Sequence, residues 1–577
     1  MPGAADFVQR AVHAMEAGGL AVWIRRGLVV VVLFAVAGYY MWNFRGLATS
    51  QAMDQAQIGR EIASGHGWST NFARPLAVGQ LEAHGRNVKT DIWIDTYNAP
   101  LPPLVNAIAL LMVKSRWQMG ASDLVYAGDK AIATMSILFF LGSVGLLFLI
   151  ARRLFDQRIA IFACALVLLC DMLWQYSLTG LPQMLLLLLF SASLYCLVRA
   201  VEAKYAGAPV TRWLAAVGLG FGLLGLTHAL TIWIFLALLI VSVLFFAPRG
   251  WAAAIMLGAF AVVYVPWLIR TWMVCGNPAG IAFYSLFDGV GKSETAWMRQ
   301  LSFDWTNLSI GAFRNKLSNN LVNHMARIFQ LLGWNVVAMA FFPALLHRFK
   351  RPETSSIRWI VLAMWGGALF GMCLYGMTEE QGFTPNQLHL LFIPIMVCYG
   401  LAFLLVMWNR LEVNIPFGRL AFIALLFLLC AFPMVNTMLL SGRKPQVIYP
   451  PYVPPYVAIL RSWMQPNEIT ASDMPWAIAW YAGRRSVWLP DKVKTFTELS
   501  DYQKLGGPIP AIYLTPISGS SNKWGDIIHG EYKDWAGIIQ RTASLEKFPL
   551  RYATLALGVN EEALFLSDTD RTKTKPK

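Results

Sequence analysis

The sequence predicts an all-helical, polytopic membrane domain followed by a small α/β domain outside the bilayer. Three observations carry that expectation. Of 577 residues, 57% are apolar and only 14% charged, with a mean hydropathy of +0.50. Soluble globular chains run at roughly 45–50% apolar and about 25% charged. Apolar runs recur at 27–42, 131–151, 159–176, 184–198, 213–226, 229–247, 251–269, 328–346, 359–377, 388–407 and 420–440, each approaching the ~20 residues that span a hydrocarbon core. From residue 441 the composition shifts, with Pro445, Pro450, Pro451, Pro454 and Pro455 making a stiff lead-in to a tail. A cytosolic enzyme, a disordered chain and a coiled-coil rod are excluded.

The runs are justified in order by their breaks and flanks. The stretch 213–247 is too long for one span, and Thr227-His228 divides it in two. A further run, 101–114, has only about 14 residues and opens among prolines, which suits an interfacial segment. Charge parity agrees. With that run left out, basic residues fall on alternate loops: Arg25/Arg26, Arg152/Arg153/Arg158, Arg199/Lys204/Arg212, Arg249, Arg348/Lys350/Arg351/Arg358 and Arg410/Arg419. The opposite short loops, 177–183, 227–228 and 378–387, hold no Lys or Arg. By the positive-inside pattern this gives about eleven spans with a cytoplasmic N-terminus.

The expected organisation is a cytoplasmic segment 1–26, a transmembrane domain 27–440 and an external α/β domain 441–577. Two large external loops, 43–130 and 270–327, belong to the middle part. Residues 1–25 lack a cleavable signal pattern. The formal charge of +15 fits basic cytoplasmic loops and gives no nucleic-acid surface. Seven cysteines form neither a disulfide frame nor a metal-ligand spacing. In the tail, EITAS, RSVWLP, AIYLTPI and EALFLSD read as strands alternating with helical stretches, which predicts a largely parallel sheet. No glycine-rich phosphate fingerprint follows any of them.

Polar chemistry concentrates in the first external loop. Residues 51–64 are helical by pattern, ending at Gly65-His66-Gly67. Asp54, Gln57 and Glu61 share one face of that helix. A carboxylate packed against the bilayer surface is partly desolvated, which raises its basicity and suits proton abstraction from an alcohol. From spacing alone, a dipole partner near the helix start accounts for Asp54 more simply.

The pairing of AMDQAQIGREIASGHGW with a downstream Asn-Ala-Pro-Leu-Pro-Pro-Leu resembles the first periplasmic loop of C-type membrane glycosyltransferases. The likeness is to the protein mannosyltransferase and aminoarabinose transferase group and bacterial family-39-like proteins. DKAIATMSILFFLGSVGLLFLIARRLF, YSLTGLPQMLLLLLF, VPWLIRTWMVCGNP and the tail's SDMPWAIAWYAGRRSVWLP follow in the same order as in that family.

The resemblance implies an inverting, metal-independent sugar transfer at the periplasmic face of a bacterial inner membrane. The donor is a polyprenyl-phosphate sugar and the acceptor a lipid, glycan or protein, with no cofactor. Asp54 takes the general-base role, and Asp91 and Asp95 are alternates that also suit turn or capping roles. The family's acidic pair sits nine positions before the Arg matching Arg60, whereas Asp54 lies six before it and is followed by Gln55. Asn98 and Ala99 stand where aminoarabinose transferases place a lysine, and Gln183 where some relatives carry an acid.

The leaving phosphate wants a cation, best an Arg fork. Arg270, ending the PWLIR run at the interface, is the first candidate, although snorkelling to the headgroups explains it as well. Arg60, Arg74, Lys89 and His389 are the others, His389 also fitting a satisfied interfacial histidine. Two competing classes are a lipid or solute transporter and a non-catalytic scaffold. A transporter predicts inverted repeats and mid-membrane charge, and neither is found in the sequence. The missing second acid and lysine are what favour a scaffold.

Overall fold

The computed structural model describes residues 34–90, 92–120, 123–290, 296–306, 308–380, 382–411, 418–440, 454–519, 524–539, 548–556 and 563–571. Among them six helices are long and apolar enough to cross a bilayer. These are Ala127–Leu154, Gln183–Tyr205, Trp251–Cys275, Pro352–Tyr375, Ile393–Arg410 and Gly418–Leu439. Gln157–Leu168 and Asp171–Leu178 pass the same test as a pair, bent by 56°. Thr211–Thr227 and Thr231–Phe245 are apolar but shorter, and they meet at the Thr227-His228 break. The protein is a multi-pass membrane protein.

The expected span 159–176 is thus a bent pair, and a second expected span differs more. Residues 328–346 do not form a continuous helix but three four-residue turns, Ile328–Leu331, Val336–Met339 and Phe341–Ala344. Gly333 and Trp334 both take positive φ, 72° and 55°, which a right-handed helix cannot continue through. Asn335 restarts the chain, its side chain accepting from the Ala338 N–H. Of the expected run 27–42, residues before 34 lie outside the described part, and helix α1 is described over 34–43.

The first loop builds a compact lid from α2 (Ser50–Ala63), α3 (Pro75–Ala83) and α4 (Leu101–Leu111). Thr49 caps α2, its hydroxyl accepting from the Ala52 N–H at 3.3 Å. A helix of 11 residues, α4 is too short to span. It lies directly on α2, and Gly59 permits the approach. A Cβ there would sit 2.9 Å from both the Asn106 Cβ and the Pro103 carbonyl oxygen. Because α2 is enclosed, Asp54, Gln55 and Gln57 are as buried as Met53 and Ile58.

Among the described residues the strands are β1 (Ser69–Thr70), β2 (Phe72–Ala73), β3 (Trp93–Ile94), β4 (Ile469–Ser472), β5 (Arg485–Trp488), β6 (Ala511–Leu514), β7 (Tyr552–Ala556) and β8 (Ala563–Ser567). β1 pairs antiparallel with β3. The others form one sheet in the order β2-β5-β4-β6-β8-β7. Two features depart from the expectation of a largely parallel sheet confined to 441–577. β8 and β7 run antiparallel, and the edge strand β2 comes from the first loop, with Phe72 opposite Ser486 and Ala73 opposite Val487. The tail and loop are further joined by side chains. Asp129, fully buried at the start of its helix, accepts from Trp480 Nε1 at 2.7 Å and from the Tyr481 hydroxyl at 3.0 Å.

Candidate active site

Asp54 lies one turn into α2 with 1% of its surface exposed. An isolated carboxylate so placed would be costly, and three side chains satisfy it. Arg74 Nη2 donates to Oδ2 at 2.6 Å, Asn98 Nδ2 to the same oxygen at 2.7 Å, and Gln57 Nε2 to Oδ1 at 3.0 Å. Arg74, at the N-cap of α3, is sandwiched between the Phe72 and Tyr97 rings at 4.3 and 4.1 Å. Gln57 is held in turn, Nε2 donating to Thr70 Oγ1 and Oε1 accepting from the Asn71 N–H. The carboxylate, guanidinium and two amides are thus fixed by packing from three chain segments.

Asp95 adjoins this cluster. Its Oδ2 accepts from the Asn98 N–H at 2.9 Å, and the Asn98 Nδ2 that serves Asp54 also lies 3.4 Å from its Oδ1. Burial and the nearby Asp54 charge push its carboxyl up to about 6, against the pull of Arg74 and the Asn98 and Tyr97 N–H groups. A carboxylate tuned toward neutral pH is suited to general-base work.

Two cavities flank the cluster. One, of about 370 Å³, is lined by Asp95, Arg74, Trp93 and Thr96 with aliphatic side chains of α3. The second, of about 310 Å³, is bounded by Arg74, Asn98, His228, Tyr264, Trp267 and Glu380. Phe72, Arg74, Thr96 and Tyr97 line both and form the partition between them.

The structure brings together Asp54, Asp95, Arg74 and Arg270. The last donates from Nη1 to the Asp95 carbonyl oxygen at 3.2 Å and stacks 4.6 Å from the Trp267 ring centroid. It does not bring the other candidates to them. Arg60 donates to the carbonyl oxygens of Trp480 and Ala479, where it ties α2 to the tail. Lys89 is exposed. His389 is fully buried, accepting from Trp365 Nε1 at Nδ1, with Nε2 3.0 Å from His324 Nδ1. Asp91 lies outside the described residues.

Sequence reasoning missed the bridging role of Asn98 and the aromatic clamp on Arg74. It also missed Glu380, whose carboxylate accepts from the Ser50 N–H and hydroxyl at 2.8–3.0 Å. Glu380 sets a negative charge at the positive end of α2. The Asn98 signal was present in the Asn-Ala-Pro-Leu motif. Glu380, 330 residues from Ser50, had none.

Residues 117–272 match the family model described as dolichyl-phosphate-mannose-protein mannosyltransferase. Two solved structures share the fold at low identity. The first is ArnT from Cupriavidus metallidurans bound to undecaprenyl phosphate (TM-score 0.51, 14% identity), covering 94% of this chain and 98% of that one. The second is the Archaeoglobus fulgidus oligosaccharyltransferase in complex with Zn and sulfate (TM-score 0.53, 14% identity), covering 87% and 70%. The latter protein tethered to an acceptor peptide with the NVT sequon is also similar, at TM-score 0.53 and 12% identity, covering 94% and 74%. Among curated protein sequences none matches. The fold is therefore one shared with ArnT and with the archaeal oligosaccharyltransferase. The segment 117–272 carries the protein mannosyltransferase likeness, and 94% of the chain shares the fold of ArnT.

Proposed function

We propose that the protein transfers a sugar from a polyprenyl-phosphate carrier to an acceptor hydroxyl, with inversion and without a metal, at the periplasmic face of a bacterial inner membrane. The observation that carries this reading is the buried Asp54–Arg74–Asn98–Asp95 cluster, from which Asp95 lines one cavity, Asn98 the other and Arg74 both. The second cavity is bounded by Tyr264 and Trp267, in the C-terminal half of the bilayer-length helix Trp251–Cys275, and by Tyr375, which ends Pro352–Tyr375. A lipid-linked donor can keep its tail among such helices while its head meets polar groups.

In this reading Asp95, which faces a cavity, is the base, and Asp54 holds Arg74 and Asn98 in place. The acceptor O–H proton passes to the Asp95 carboxylate as the oxygen bonds to the anomeric carbon. The bond from that carbon to the phosphate oxygen breaks, and polyprenyl phosphate leaves as an anion. Arg74, with Arg270 behind it, favours that departing charge. The ArnT structure that shares this fold holds undecaprenyl phosphate, which supports the choice of donor.

The test is turnover of radiolabelled polyprenyl-phosphate sugars by the purified protein and its Asp54→Asn, Asp95→Asn and Arg270→Ala variants. Loss of a general base lowers kcat by roughly 10²–10⁴-fold. Undiminished turnover in Asp95→Asn moves the base role to Asp54, and undiminished turnover in both removes the cluster from the chemistry. Absence of donor binding by the unaltered protein refutes the transferase reading.

A further inference from the structure

We propose that the outer corner of the first loop is a docking site for an anionic phospholipid of the external leaflet. It is built from an apolar row on α4 and from the cations Lys114, Arg116 and Lys130. Such a site would stand whether or not the protein transfers sugars.

The two sides of α4 differ. Pro103, Asn106 and Ala107 sit against Gly59 of α2, whereas Leu104, Ile108, Leu111 and Met112 are 39–75% exposed. Their spacing of three and four residues sets them in one row along the helix. The depth of that row follows from its neighbour. Pro102 and Val105 meet Ile132, Met135 and Phe139 across a narrow crevice. At 1.5 Å per residue these lie about 8–18 Å along the bilayer-length helix Ala127–Leu154. The row therefore stands at the level of acyl chains, which cover its apolar surface.

The row ends in charge. After Met112 the chain makes a 3-10 turn, Lys114–Arg116, and Trp117 fixes it. Trp117 Nε1 donates to the Leu110 carbonyl oxygen at 3.0 Å, and the Tyr126 hydroxyl donates to the Trp117 carbonyl oxygen at 2.6 Å. Tyr126 caps the start of Ala127–Leu154, and Lys130 is exposed one turn further on. Lys114 and Arg116 are exposed too, and among the described residues none of the three has a side-chain hydrogen bond or ion pair. Against them stand Asp123, exposed and accepting from the Gly120 N–H at 3.1 Å, and Asp129, buried against Trp480 and Tyr481. The surface keeps a positive excess.

That excess selects the headgroup. The positive-inside pattern assigns this loop to the external side, where the short loops 177–183, 227–228 and 378–387 carry no Lys or Arg. Snorkelling alone is served by any headgroup. Three cations at the end of an acyl-facing row favour a phosphate that brings no balancing amine. Each Lys or Arg near a bilayer surface strengthens attraction to anionic lipid about five-fold.

The experiment uses the full-length protein in nanodiscs of equal phosphatidylglycerol and phosphatidylcholine, each tritiated in turn. Met112→p-benzoylphenylalanine places a photo-crosslinker at the end of the row. Val262→p-benzoylphenylalanine, exposed midway along Trp251–Cys275, reports the bulk ratio. Phosphatidylglycerol should be captured over phosphatidylcholine about five-fold or more in excess of that ratio at 112. The excess should vanish in Lys114→Gln/Arg116→Gln/Lys130→Gln with Tm unchanged, and shrink when salt is raised to about 0.5 M with the cations intact. Equal lipid ratios at 112 and 262 overturn the proposal, and so does an excess that survives the triple variant. Should that variant unfold, an excess indifferent to salt overturns it instead.

Discussion

Replacing Asp95 by Asn tests the physics of the carboxylate pair directly. Burial and Asp54 raise the folded-state pKa of Asp95 from 3.8 to about 6. A raised acid favours the protonated form in the fold. Its stabilising contribution is therefore complete below about pH 4 and lost as pH rises through 6. The difference of roughly two units corresponds to about 3 kcal/mol between those limits. At about 2.1 cal/mol/K per residue, 577 residues give an unfolding entropy near ~1.2 kcal/mol/K, so Tm moves by about 2–3 °C. The amide introduced by Asp95→Asn would keep an oxygen for the Asn98 N–H yet cannot ionise. Thermal unfolding of the two proteins in matched detergent buffers from pH 4 to 7.5 should show the unaltered chain losing those degrees relative to Asp95→Asn. Parallel curves across that range would refute the buried, Asp54-coupled carboxyl.

The same shift predicts that kcat/KM for sugar transfer rises with pH through about 6 on its acid limb, a feature that Asp95→Asn should remove; a flat profile from pH 5 to 7 would contradict it. Gly59→Val should separate α2 from α4, since even a Cβ meets Asn106 and Pro103 at 2.9 Å; overpacking of this kind costs about 1–3 kcal/mol and would appear as a lowered Tm. Asp129→Ala should loosen the tail by removing the carboxylate that accepts from the Tyr481 hydroxyl and leaving the buried Trp480 N–H without that acceptor. At about 1–3 kcal/mol per buried orphan, limited proteolysis should release fragments beyond residue 454 faster than from the unaltered protein. Glu380→Gln removes the charge at the start of α2, worth about 0.3–1 kcal/mol, and should lower kcat more than donor affinity if α2 positions the cluster.

How far the sequence foretold this differs by element. The long helices were legible because apolar length is a local property, and so was α2, whose start at Thr49 and stop before Gly65 are written in neighbouring residues. The run 328–346 misled because hydropathy is blind to backbone sign, and Gly333-Trp334, followed by the Asn335 cap, breaks the helix inside an apolar stretch. In the site, Asp54 and Gln57 could be grouped from helical spacing, and Arg74 and Arg270 named as cations. That Arg74 rather than Arg60 pairs with Asp54 depends on how the loop folds back, with Tyr97 and Phe72 clasping the guanidinium. Spacing along the chain cannot tell one arginine engaged with Asp54 from another engaged with the carbonyls of residues 479 and 480.

The pairing of β2 with β5 joins residues 72 and 486, near opposite ends of the chain. During synthesis the strand edge of the early loop meets its partner only after some 400 further residues have emerged. A ribosome halted before codon 485 would release a chain with most of its bilayer helices made and the partner of β2 missing. Completion of the sheet thus depends on a segment made more than 400 residues after β2.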